Sequence, residues 1–350
     1  MNFTLKGIQL LPVWIASFFF FLIPMNFLLT EFNELIASDV PADGPSKLFF
    51  LYLAFVLAMA FTLIFFMVKL MIHSVEYKGL KVICDYHPGK YIGIIISGLV
   101  LSIVTVGIYV PWFIKNMHRF FVHGASYNFH KFAFRGKGGK LFLIMTLTTI
   151  LIPFLLIGFV AFTILKSEIE IWIYQLLIMF SLVPNIYLIL KWMIDIRYKE
   201  YVISLDTEFF PAIGKIAIEL VLAVILVIIF QILTSACIAF WWNTDFFPET
   251  GKIAIELVLA GTTLSIYFAM AFIRLYRYFT EHTRSNVVEG RQISMGYDGN
   301  QLSDFLFIWG QILLTAITLG VYYPWAFSRI ARRVLTQTYL TTDLVTMPGR

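Results

Sequence analysis

Few groups in this chain have the chemistry for catalysis, and their spacing argues against most reactions. The six histidines (His73, His87, His118, His123, His130 and His282) form no H-E-x-x-H pair and share no ligand spacing with Cys84 or Cys237. Neither catalytic nor structural zinc is indicated. His118, His123 and His130 sit among basic neighbours that repel a cation, which suits interfacial side chains better than metal ligands. The loop FRGKGGKLF at 134–142 offers glycines and cations to a phosphate, but Leu141 follows Lys140 where a P-loop needs Ser or Thr. Nucleotide hydrolysis is therefore not expected. Arg135, Lys137 and Lys140 remain as candidate contacts for anionic lipid headgroups, beside the plainer role of ordinary cytoplasmic positive charge.

Ionisable groups deep in apolar segments mark ion pathways, because such residues are costly there. Glu219 and Glu256 are placed a turn or two inside their helices, with Lys215 and Lys252 at i, i+4 spacing, so a local ion pair is expected rather than a relay. Asn26, Thr146, Thr149, Asn185, Gln231, Thr234, Gln311 and Thr315 have the polarity to line a path or to bond between helices. Pro24, Pro153 and Pro184 would kink helices around a cavity. No catalytic residue, cofactor or metal is expected, and the chain does not read as an enzyme.

The elements that must carry these residues are membrane segments. Of 350 residues, 60% are hydrophobic and 13% charged, far from the composition of a soluble domain. The apolar residues fall into eight blocks, roughly 8–29, 48–68, 91–113, 141–165, 171–190, 212–240, 253–273 and 302–325, each long enough to cross a bilayer. The first is too long for a signal-peptide core and reads as a retained helix. Two cysteines make no disulfide framework. The net charge of +5 comes from Lys and Arg in short loops, which orients a membrane protein and does not point to nucleic acid.

Connections 30–47, 166–170 and 241–252 are acidic or neutral and should face the periplasm. Connections 69–90, 114–140, 191–211, 274–301 and the tail with Arg329, Arg332 and Arg333 are basic and should face the cytoplasm. Simple alternation fails at 91–113 and 302–325. Both blocks contain helix breakers at matching places, Gly107 and Pro111 in VTVGIYVPW and Gly320 and Pro324 in ITLGVYYPW. A basic, amphipathic stretch follows each break, as expected of an interfacial helix. The expected architecture is an all-α polytopic protein with about six full crossings and two broken re-entrant or interfacial helical hairpins; two further full crossings against the charge rule are the alternative. Tyr109, Trp112, Tyr322, Tyr323 and Trp325 beside the breaks suit either a gate or an aromatic belt.

Polar stretches of alternating character precede several blocks: 75–91, 125–142, 286–305 and, more weakly, 198–215. Each reads as a short cytoplasmic β-hairpin ahead of a helical pair. The units are then 1–73, 74–123, 124–197, 198–283 and 284–350, the first a helical pair with an acidic periplasmic loop. A sharper repeat, FFPAIGKIAIELVLA at 209–223 and FFPETGKIAIELVLA at 246–260, differs at two positions. A recent tandem duplication would produce such likeness, as would an error of sequence assignment.

The segments GIYVPW and TLGVYYPW, with FAFRGKGGKLF at 132–142, resemble the YjgN family of bacterial inner-membrane proteins. The resemblance covers 75–340 and leaves the first two helices peripheral; Val106 stands where the family pattern has leucine, and Phe113-Ile114-Lys115 is less basic than the usual continuation. It implies location in the bacterial inner membrane with both termini cytoplasmic, and it carries no activity. The expected function is transport or conduction of a small or lipid-like molecule, with a scaffold or accessory subunit as the alternative. Membrane lipids are the expected partners, a protein partner or second copy is left open, and nucleic acid is not expected. The site candidates are Gly107, Tyr109, Pro111, Trp112, Gly320, Tyr322, Pro324 and Trp325, with Arg329, Arg332 and Arg333 joining the three loop cations as lipid contacts.

Overall fold

A computed structural model describes residues 1–22, 24–26, 28–30, 47–151, 183–223, 225 and 266–344. Outside them lie most of the 30–47 loop, the second duplicate copy with Lys252 and Glu256, and Cys237, Pro153, Gln231 and Thr234. The described helices are α1 (Gly7–Ser17), α2 (Lys47–His73), α3 (Pro88–Val104), α4 (Val110–Gly124), α5 (Gly138–Met145), α6 (183–193), α7 (209–223), α8 (266–281), α9 (Gln301–Ile317) and α10 (Tyr323–Thr336). Among the described residues two helices are long and apolar enough to cross a membrane, Gly7–Thr30 and Phe49–His73. Three more are apolar but shorter: Pro88–Val104, Gly138–Thr148 and Gln301–Ile317.

An all-α description understates the polar stretches. Their strands are β1 (Asn2–Phe3), β2 (Val75–Tyr77), β3 (Leu80–Lys81), β4 (Ile83–Cys84), β5 (Ala125–Tyr127), β6 (His130–Phe134), β7 (Ile196–Tyr198), β8 (Tyr201–Leu205), β9 (Thr283–Ser285), β10 (Arg291–Tyr297) and β11 (Thr338–Leu344). They do not stand as separate hairpins. β4 to β11 form one antiparallel meander of eight strands, and β1, β2 and β3 form a second sheet. Tight turns join Tyr77 to Leu80, Tyr127 to His130 and Tyr198 to Tyr201. The Tyr127 hydroxyl donates to the carbonyl of Tyr77 at 2.9 Å, and Tyr198 to that of Tyr127 at 3.0 Å, lacing the hairpins together.

One local pattern occurs five times. A strand ends at Phe3, Cys84, Phe134, Leu205 or Tyr297, three residues follow without regular structure, and a helix begins at Gly7, Pro88, Gly138, Phe209 or Gln301. The fourth residue of each such helix (Leu10, Tyr91, Leu141, Ala212, Asp304) is buried. With the same three-residue link each time, the fourth helical position is closed off from solvent whatever residue fills it. All five links are continuous in sequence. The larger helix–strand–strand–helix unit around each link is continuous in four cases and split in the fifth, where the described residues near one end supply α10 and β11 and those near the other supply β1 and α1.

Five core clusters, each spanning three successive helices, link these units. They centre on Phe65 and Tyr91 (α2, α3, α4), Leu141 and Trp192 (α4, α5, α6), Tyr187 and Ala212 (α6, α7, α8), Ile273 and Ile308 (α8, α9, α10), and Leu5 and Leu10 with Phe327 and Met67 (α10, α1, α2). The contacts therefore form a closed circuit whose seam is the meeting of the two ends. At the seam the amino terminus donates to Thr338 O at 2.9 Å, and Arg332 donates to the carbonyls of Phe3 (3.2 Å) and Leu5 (3.1 Å). The first helices, which looked peripheral, are members of the circuit.

Beside the seam, Asp304 is 0% exposed. It accepts from Arg333 Nε at 2.8 Å, Gln337 Nε2 at 3.0 Å and the Tyr297 hydroxyl at 2.7 Å. A buried carboxylate is tolerated only when its charge is met in this way. Burial and then the Asp304 carboxylate push the Tyr297 phenol well above its ordinary range. Arg333→Ala should cost about 3 kcal/mol, because it leaves a buried charge unpaired, and the double change Arg333→Ala with Asp304→Leu should recover most of it. Thermal unfolding of the purified protein reads both.

Candidate functional site

The two broken segments have one geometry. After α3 the turn 105–109 reverses the chain into α4; after α9 the turn 318–322 reverses it into α10. In each, two consecutive residues are left-handed: Val106 (φ 50) and Gly107 (φ 85), Leu319 (φ 51) and Gly320 (φ 87). Gly107 N–H donates to Ser102 O at 2.7 Å, as Gly320 N–H does to Thr315 O. The Thr105 hydroxyl donates to Leu101 O (2.7 Å) and accepts from Tyr109 N–H (3.0 Å); Thr318 repeats this with Leu314 O (2.8 Å) and Tyr322 N–H (3.1 Å). Pro111 and Pro324 then stand in the first turns of α4 and α10, where a missing N–H costs nothing.

Left-handed backbone strains a non-glycine residue by about 1–2 kcal/mol, and in water Asn, Asp or Gly fills such places. Here Val106 and Leu319 fill them and are 91% and 93% exposed. Ile103, Val104 and Ile108 surround the first, and Ile317 and Val321 the second, all exposed. Each tip is thus a strained, apolar knob with its backbone groups satisfied locally. Both leading helices have 17 residues, about 25 Å at ~1.5 Å per residue, less than the ~30 Å of bilayer hydrocarbon.

The aromatic residues are organised around the turns. Tyr109 stacks on Trp112 (6.2 Å) and Tyr322 on Trp325 (6.3 Å). Asn116 Nδ2 donates to the Tyr109 hydroxyl at 3.3 Å; seven residues beyond the second tyrosine, Arg329 Nη1 donates to the Tyr322 hydroxyl at 2.6 Å. The Tyr322 hydroxyl in turn donates to Gln311 Oε1 at 2.9 Å. Each tryptophan covers a glycine that opens the next helix. A Cβ on Gly138 would lie 2.6 Å from Trp112, and one on Gly7 would lie 2.6 Å from Trp325. These two seats were missed in the sequence, although a glycine at a helix start after a basic residue was visible at both. The hairpins differ inside: Phe113 lies where a Gly98 Cβ would be, whereas Gln311 faces the second turn.

The cations divide into two groups. Arg332 and Arg333 are held at the seam and by Asp304, and Arg329 lies 5.7 Å over the Tyr322 ring. Arg135 and Lys137 belong to the link before α5; Arg135 is 4.0 Å from Asp195 across the surface, and Lys140 is exposed on the first turn of α5. His118 lies between Phe134 (4.4 Å) and Trp192 (5.7 Å). Among the described residues no group of three His, Cys, Asp or Glu is arranged for a metal. The Lys215–Glu219 pair expected from i, i+4 spacing is not made. Lys215 lies 5.1 Å over the Tyr278 ring, and Glu219 reaches α8; aromatic faces on α8 compete for the lysine.

Fold and site together define a circuit of apolar helices on an antiparallel sheet, with two short hairpins ending in apolar turns. The family described as bacterial protein of unknown function (DUF898) matches residues 1–345, so the chain belongs to that family, the one which the TLGVYYPW segment resembles. No curated protein matches the chain, and no solved structure does.

Replacing Gly7 or Gly138 by Val should drive Trp325 or Trp112 off its seat. Overpacking of this kind costs about 1–3 kcal/mol. Tryptophan emission of each variant, shifted to longer wavelength with a lowered melting temperature, checks it.

Proposed function

We propose that the protein is an integral protein of the bacterial inner membrane that moves a small or lipid-like molecule and performs no covalent chemistry. In this reading the pairs α1–α2, α5–α6 and α7–α8 give six crossings, and the hairpins α3–α4 and α9–α10 enter the bilayer from the sheet side and turn back. The basic loops and both termini lie with the sheet on the cytoplasmic side, in keeping with their Lys and Arg content. The observation that carries it is the pair of strained tips, Val106 and Leu319, apolar and exposed where water would favour polar residues. Secondary transporters hold their substrates at broken helices in related repeats, and these two hairpins are a related pair of breaks.

A second reading, a scaffold for partner proteins or anionic lipids, draws support from the sheet. Beyond Thr338 the outer edge of β11 has no strand paired with it among the described residues, and an open edge is a template for another chain.

Proteoliposomes separate the two. Transport predicts that the wild-type protein speeds the crossing of a fluorescent phosphatidylethanolamine analogue and that Gly320→Leu lowers this at least tenfold. An inactive wild type leaves the scaffold. Single cysteines at Asn128 and Gln337 should react only from the cytoplasmic side; reaction from the periplasm contradicts the topology.

A further inference from the structure

An ionisable cluster lies outside both hairpins, where α7 meets α8. Glu219 on α7 accepts from the Tyr267 hydroxyl at 2.9 Å, and Arg274 Nη1 lies 3.5 Å from its other oxygen. The carboxylate is nearly enclosed, with its side chain 13% exposed; that of Arg274 is 39% exposed. Glu219 lies ten residues past the start of α7 at 209, and Tyr267 and Arg274 lie fourteen and seven before the end of α8 at 281. At ~1.5 Å per residue, these offsets set the cluster about 10–20 Å from the sheet side, near the middle of ~30 Å of hydrocarbon.

A guanidinium has five N–H donors. Among the described residues Glu219 is the one partner that Arg274 has, at the long end of a hydrogen bond. On α7 Leu222, one turn beyond Glu219 on the same face, is exposed. A charged donor whose other N–H groups meet no acceptor among the described residues, with the apolar Leu222 a turn away, fits the anionic head of an amphiphile. Among the described residues, other charged or titratable groups on these helices include Lys215 on α7, over the Tyr278 ring of α8, Arg277 and Glu281 on α8, and Tyr187 and Lys191 on α6, which are bonded to Thr207.

We propose that Arg274 binds the anionic headgroup of an amphiphile and that Glu219 competes with it, yielding when it takes up a proton. With Glu219 ionised, the pair is neutral and the guanidinium engaged. One proton taken from water converts the carboxylate to the acid, and one singly charged anion then neutralises Arg274. The site stays neutral in both states, as a low-dielectric interior demands, so one proton enters with each anion. This rests on the membrane-embedded reading of α7 and α8 given above.

Octanesulfonate is a suitable probe, because its charge is permanent and any proton taken up belongs to the protein. The full chain in phosphatidylcholine nanodiscs, titrated calorimetrically in buffers of different ionisation enthalpy, should take up about one proton per sulfonate bound. Affinity should rise as pH falls, by up to about tenfold per unit for one linked proton. Glu219→Gln should bind without proton uptake and with no pH dependence, and Arg274→Gln should lose binding. Tyr267→Phe, which removes a donor to the carboxylate, should move the pH midpoint upward and serves if Glu219→Gln fails to fold. Undiminished proton uptake in Glu219→Gln, undiminished binding by Arg274→Gln, or an unmoved midpoint in Tyr267→Phe overturns the proposal. Proton-linked sulfonate binding without lipid flux would sink the transport reading alone; flux without linked binding would sink this site alone.

Discussion

A chain that reverses inside hydrocarbon must satisfy its own backbone at the reversal, since an unpaired N–H or C=O there costs several kcal/mol. In the proposed reading the two hairpins face this demand, and both turns are satisfied in the same way. The left-handed dipeptide folds the glycine N–H back onto the last turn of the leading helix, and one threonine hydroxyl closes both the helix end and the turn. Proline follows where no donor is needed. With the polar groups consumed locally, the outward surface of the turn is left to Val106 and Leu319, and the tip is apolar without being bare.

In the membrane-embedded reading proposed above, the contacts behind the tips hold them at a constant depth. Each hairpin returns by an amphipathic helix whose tryptophan is seated on the first glycine of the next helix, so the turn is tied to the neighbouring unit as well as to its own. The same three-residue link joins strand to helix at the start of each leading helix. The circuit closes because the first and last segments complete one unit between them, with Arg332 and the amino terminus as the fasteners. The two hairpin bases use different chemistry for one task. Asp304 and Arg333 form an ionic lock in one, and the corresponding space in the other holds the rings of Tyr91 and Phe120, 5.4 Å apart.

Much of this was legible in the residues. Gly107 with Pro111 and Gly320 with Pro324 announced two reversals, because these residue types limit backbone choice by themselves. The alternating stretches announced strands, because period two is a property of single segments. What stayed hidden depends on distant partners. β1 has two residues, Asn2 and Phe3, too few to show any period, so the split fifth unit had no local trace. Glu219 was assigned to Lys215 by helical spacing, but the deciding partners, Tyr267 and Arg274, are 48 and 55 positions away. Arg332 and Arg333 read in the sequence as lipid contacts, and only the fold reveals the carbonyls and the buried carboxylate that they meet.

The account stands or falls on where the tips end. Nitroxides placed singly at positions 106 and 319, in liposomes, report depth through the ratio of collision with oxygen to collision with a water-soluble nickel chelate. The account predicts that both labels lie at a similar depth within the hydrocarbon, with the ratio favouring oxygen. Labels more accessible to the nickel chelate at either tip, on whichever side of the bilayer, would contradict it.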